Sequence, residues 1–135
     1  MKAYVLDANA LLDYSENGPG GSTVERIVGE AVRRQAILAV SVVNWGEVFY
    51  CLWNSRGEAT ARKTLTSLGH LPIELVPVDL AHALKAAELK VLHKIPYADC
   101  IAASLALSRR ATLVTADRDF EKLGHHFSIL WLSRP

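Results

Sequence analysis

Short apolar runs alternate along this chain with longer stretches whose apolar residues recur every three or four positions, a pattern that predicts strands and helices in turn. The strand-like runs are KAYVL at Lys2–Leu6, AILAV at 36–40, IELVPV at 73–78, TLVT at Thr112–Thr115 and FSILWL at 127–132. Pro77 limits the third run to an edge strand or an early end. A short helix is predicted over 8–14. Ser22 and Glu25 have capping-box spacing and open the next helix, with Val24, Ile27, Val28 and Ala31 as its stripe and Arg33 and Arg34 at its close. Ser41 is positioned to cap a helix over Val42–Arg56 that Gly57 ends, and Glu58–Leu68 follows. Asp79 caps a helix running to about His93, with helical spacing of Leu80, Ala83, Leu84, Ala87 and Val91. Pro96 breaks the chain and starts a helix over Tyr97–Arg109, whose face carries Ala98, Ile101, Ala102 and Leu105. Strands alternating with helices predict an α/β fold: a mostly parallel sheet of four or five strands, right-handed crossovers and helices on both faces.

The 135 residues suit one domain spanning 1–135. Half are hydrophobic and 21% are charged, which excludes disorder. The longest loop-like stretch, SENGPGGS at 15–22, is too short for a linker. No apolar run approaches the ~20 residues needed to cross a bilayer. Asp7, Asn9 and Asp13 interrupt the first apolar run too early for a signal peptide, so the expected compartment is the cytoplasm. Cys51 and Cys100 fall in helices and read as free thiols. His70, His82, His93, His125 and His126 show no helical zinc spacing.

The chemistry lies in five acids placed where strand-like runs give way to turns or helices: Asp7, Glu47, Asp99, Asp117 and Asp119. Ionised carboxylates among core elements cost several kcal/mol each unless compensated. In a parallel sheet, the carboxyl ends of strands and the starts of following helices share one edge, so all five can converge. Hard Mg²⁺ or Mn²⁺ suits such an oxygen-rich cluster and supports phosphodiester chemistry. Charge fits that picture: the net charge is +1, and without those five acids the remainder carries +6. A basic body around an acidic hole attracts a phosphate backbone to the rim.

These motifs together resemble the PIN-domain ribonucleases, in particular the VapC-type toxins of toxin–antitoxin pairs. YVLDANALLD resembles the first motif, NWGEV the segment carrying a helix-borne Glu, YADCIAA the third motif and LVTADRDF the last, in order over 4–120. The resemblance implies an α/β/α sandwich and Mg²⁺- or Mn²⁺-dependent endoribonuclease activity. It carries metal ligation and catalysis onto Asp7, Glu47, Asp99 and Asp117, and gives Asn9, Thr115 and Asp119 supporting positions. It also implies an antitoxin partner and a homodimer.

Arg109, Arg110, Arg118 and Lys122 are candidate contacts for RNA phosphates, with Arg118 best placed between two acids. Trp45, Tyr50 and Trp53 spread too widely around the Glu47 helix for one buried face, which suggests a partner surface. The alternative is a PIN-like RNA- or protein-binding module without turnover; its mark would be a missing acid, and none is missing. A response-regulator phosphoacceptor would want an acidic pair after the first strand and a late strand-borne lysine. An aspartyl-phosphate enzyme would want D-x-D where this chain has D-A-N.

Overall fold

The apolar runs assemble into one sheet in a computed structural model that describes residues 1–133. β1 (Lys2–Leu6), β2 (Ala36–Ser41), β3 (Ile73–Val76), β4 (Thr112–Thr115) and β5 (Ile129–Trp131) lie in the order β3-β2-β1-β4-β5, and every pairing is parallel. Side chains alternate across the sheet. Tyr4, Leu6, Leu38, Val40 and Val114 enter one core with α1 (Ala8–Ser15), α2 (Gly21–Val32), α3 (Val42–Arg56) and α4 (Glu58–Leu68). Val5, Ala39 and Leu113 enter the other with α5 (Leu80–His93), α6 (Tyr97–Arg109) and a 3₁₀ helix, η1 (Arg118–Leu123). The result is the expected α/β/α sandwich, with β3 and β5 at the edges. Among the described residues no helix is long and apolar enough to cross a membrane.

Winding direction places the site. The chain moves outward from β1 through β2 to β3, then crosses back to β4 and β5 on the other side. The carboxyl ends of β1 and β4 therefore meet where the winding reverses, the position at which open α/β sheets form ligand crevices. Leu6 pairs with Val114, so the next residues, Asp7 and Thr115, emerge side by side.

Three local expectations are corrected. The Ser22–Glu25 capping box does not open α2; the helix begins at Gly21 with Gly20 as N-cap and no side-chain cap. Asp13 Oδ2 accepts the Gly20 N–H at 3.1 Å. A Cβ on Gly20 would lie 2.7 Å from that oxygen and 2.8 Å from Leu132 Cβ, so a glycine turn sets the entry and leaves Ser22 inside the first turn. The last strand contracts from 127–132 to Ile129–Trp131, because Phe127 is held in a turn by Gly124 O. On α5 the residues that enter the core are Ala86 and Leu89, while Leu80, Leu84 and Val91 point outward at 75%, 61% and 75% exposure.

Candidate metal centre

Asp7 follows β1 directly and is the N-cap of α1: its Oδ1 accepts the Ala10 N–H at 2.9 Å. Its Oδ2 accepts a hydrogen bond from the Thr115 hydroxyl across the β1–β4 junction. That hydroxyl in turn accepts the Asp117 N–H at 2.9 Å, and Asp117 Oδ1 accepts the Asp119 N–H at 2.9 Å. The turn after β4 is thus wound around Thr115, which is fully buried. Asn9 reinforces the junction, its Oδ1 accepting the Ala116 N–H at 3.2 Å.

Asp99 arrives from the other side of the sheet, in the first turn of α6, where the helix dipole favours negative charge. Oxygens of Asp99, Asp117 and Asp119 come within 4.8 Å of one another. Glu47, one turn into α3, is held by Asn44: Asn44 Nδ2 donates to Glu47 Oε1 at 2.7 Å and to Ala98 O at 3.2 Å, tying α3 to the start of α6. Asn44 is buried, and its Oδ1 has no hydrogen-bond partner among the described residues.

The electrostatics follow from this crowding. Asp7 is 3% exposed, and burial pushes its carboxyl up to about 7. The hydrogen bonds from Thr115 and Ala10 oppose that rise, and the charges of Asp117 and Glu47 add to it. Asp99 is also raised, first by burial and then by Asp117 and Asp7. Glu47 is the largest cause of the upward push on the Tyr50 phenol. Among the described residues no lysine, arginine or histidine forms an ion pair with any of the five acids. Such a cluster of hard oxygen donors, crowded and lacking a paired cation, fits a hard divalent ion. Asn44 Oδ1 is a further uncommitted acceptor on the residue that holds Glu47.

The structure therefore brings all five sequence-selected acids into one field, in two tiers. Asp99, Asp117 and Asp119 form the closest triad, with Asp119 inside it rather than at its margin. Asp7 and Glu47 stand behind, each anchored by a neighbouring side chain. Asn44 was not among the candidates, although its place three residues before Glu47 on one helix was a readable signal.

The basic candidates divide. Arg118 and Lys122 sit exposed on η1 beside the acids, Arg118 paired with Glu121 at 3.2 Å. Arg109 and Arg110 do not approach. They end α6, about 15 Å along its axis from Asp99, and Arg109 forks onto Glu74 at 2.9 and 2.7 Å.

A family model described as PIN domain matches residues 4–126. No curated protein matches the sequence. Among solved structures, the chain is similar to VapBC2 from Rickettsia felis bound to a DNA fragment from its promoter, at 17% identity over 97% of this chain and 99% of that one, with a TM-score of 0.77. It is similar to a toxin–antitoxin complex from Klebsiella pneumoniae at 18% identity over 98% and 99% of the two chains, TM-score 0.70. It is also similar to the sarcin–ricin loop-cleaving toxin VapC20 of Mycobacterium tuberculosis at 14% identity over 90% and 95%, TM-score 0.73. At these identities the likeness is one of fold.

Proposed function

Because this chain belongs to the PIN domain family, we propose that its acidic pocket is the active centre of a Mg²⁺- or Mn²⁺-dependent endoribonuclease, the toxin of a VapC-like toxin–antitoxin pair. The observation that carries this reading is the unpaired carboxylate cluster at the reversal point of the sheet. Asp99, Asp117 and Asp119 would hold the ion, with Asp7 and Glu47 completing its surroundings. When bound, a divalent ion lowers the pKa of a coordinated water and offsets charge on the phosphate oxygens.

The chain's own residues do the rest. Thr115 and the Ala10 N–H fix the Asp7 carboxylate, and Asn44 fixes Glu47 by donating to its Oε1. Glu47 is thereby suited to orient an attacking water and take its proton. Arg118 and Lys122 flank the acids and can meet the RNA backbone.

The partners follow from the same reading. An antitoxin would be one partner, as the toxin–antitoxin complex of similar fold suggests, and it would act by covering the site. The outward stripe Leu80, Leu84 and Val91 on α5 supports a second copy of the chain as a further partner. The working compartment would be the cytoplasm.

Incubation of the purified protein with total RNA in Mg²⁺, Mn²⁺ or EDTA, followed by mapping of 5′ ends, tests the reading. Discrete ends in metal that vanish in EDTA and in Asp117→Asn are expected. Cutting that persists in EDTA would end the metal assignment, and binding without any cutting would favour the binding module.

A further inference from the structure

Phe120, His125, Phe127, Ile129 and Trp131 line a pocket of about 480 Å³ between η1 and β5. That volume lies within the range of small-ligand sites, about 300–1,000 Å³. The pocket is distinct from the carboxylate cluster but shares an element with it. η1 begins immediately after Asp117 and carries Asp119 in its first turn. Trp131 belongs to both neighbourhoods: the Arg118 guanidinium lies 4.4 Å from its ring centroid, and Arg118 stands between Asp117 and Asp119 in the chain.

The walls differ in burial. Phe120 is fully buried, whereas Phe127, Ile129 and Trp131 are half-buried, leaving aromatic surface open beside a charged site. Gly124, at φ 92°, makes the corner, and a Cβ there would meet the His126 ring at 3.3 Å. Glu121 also lines the pocket, and its pairing with Arg118 at 3.2 Å offsets the acid's charge. The combination is an aromatic recess, a cation bracing one ring, and carboxylates suited to a phosphodiester on the same short helix. An unpaired nucleotide meets those requirements: its base offers a π face to stack and its phosphate carries the charge. Bases inside a duplex hide those faces, so the pocket suits a base that lies outside a stack.

We propose that the η1–β5 pocket is a nucleobase subsite that takes one unstacked base of a single-stranded RNA while a neighbouring phosphate lies at the acidic cluster. The inference rests on the nuclease reading and adds a base-binding subsite to it. Trp131 and Phe127 are the stacking residues, and Arg118 holds the indole in place.

Fluorescence anisotropy of the full chain in EDTA, where the RNA stays intact, tests it with three labelled probes: oligo(A) and oligo(U) decamers and an abasic ribose–phosphate decamer of equal charge. The acids repel all three alike, so differences report the bases. We expect the base-bearing decamers to bind about tenfold more tightly than the abasic one. Trp131→Leu should lose that preference, and so should Phe127→Leu, which covers the case in which the β5 variant fails to fold. Equal binding of abasic and base-bearing decamers by the unaltered chain overturns the subsite, as does a preference that survives both substitutions. Metal-dependent cutting without base preference removes the subsite and leaves the nuclease. Base preference without cutting keeps the pocket and removes the nuclease.

Discussion

Replacing Asp7 with Asn should make the metal-free protein more stable at pH 8, although Asp7 caps a helix. The carboxyl is raised from 3.8 to about 7, with burial as the largest cause. A raised folded-state pKa means that the native protein binds the proton more tightly than the unfolded chain. Its contribution is therefore fully present below pH 3.8 and is lost as pH rises through about 7. At about 1.4 kcal/mol per pKa unit, the loss at pH 8 is at most about 4 kcal/mol. Asparagine carries no charge and escapes that loss. Its Oδ1 can still accept the Ala10 N–H, but its amide would donate toward Thr115 Oγ1, which already receives the Asp117 N–H. The Thr115 proton then needs a new acceptor, at about 1 kcal/mol. The expected balance is a gain of about 2–3 kcal/mol at pH 8 and a loss of about 1 kcal/mol at pH 4. Guanidinium unfolding in EDTA at pH 4, 6 and 8, followed by tryptophan emission, measures both. A variant less stable by the same margin at every pH would show that Asp7 acts as a helix cap and nothing else, and the argument from buried charge would fail.

Other outcomes follow from the same geometry. Mg²⁺ at 100 times its Kd should stabilise the chain by about 2.7 kcal/mol, read as a rise in Tm that Asp99→Asn abolishes; an unchanged Tm in wild type would count against the centre. Thr115→Val removes the donor to Asp7 and the acceptor for Asp117 N–H, so it should cut activity at least tenfold and push the Asp7 carboxyl further up, visible as a loss of stability with rising pH that still begins above 3.8 but is larger and runs to higher pH. Asn44→Leu frees Glu47 and the α3–α6 tie; kcat should fall more than KM rises, whereas an unaltered kcat would reduce Asn44 to packing. Leu84→Glu on the outward stripe of α5 should leave the fold intact and shift sedimentation toward a monomer.

Much of the architecture was legible because it depended on local signals. Ser41, Asp79 and Pro96 start their helices where the sequence places them, and Pro77 stops β3 at an edge. The convergence of Asp7, Glu47, Asp99, Asp117 and Asp119 could be argued because each lies just after a strand or in the early turns of a helix. What stayed hidden depended on three-dimensional partners. Periodicity gave α5 an apolar stripe but not its direction; Ala86 and Leu89 face α6 and the sheet, and Leu80, Leu84 and Val91 were left outside. Ser22 had the right spacing for a cap, yet a turn closed by Asp13 started the helix earlier. Arg109 looked like a phosphate ligand until the length of α6 placed it beside Glu74. Asn44 resembled any polar residue in an apolar helix until Ala98 and Glu47 supplied its acceptors.

The hydrogen bond between Thr115 and Asp7 spans 108 positions, so the pocket closes only after all the residues between them have been made. At translation speeds of about 5–20 residues per second, roughly 5–20 s separate synthesis of those two residues. Through that interval the nascent chain adds Glu47 and Asp99 to the first carboxylate but still lacks Asp117 and Asp119. On the nuclease reading, a nascent or prematurely terminated product cannot attack its own message, and the cell gains a delay in which a separately made inhibitor can be waiting when the enzyme is released.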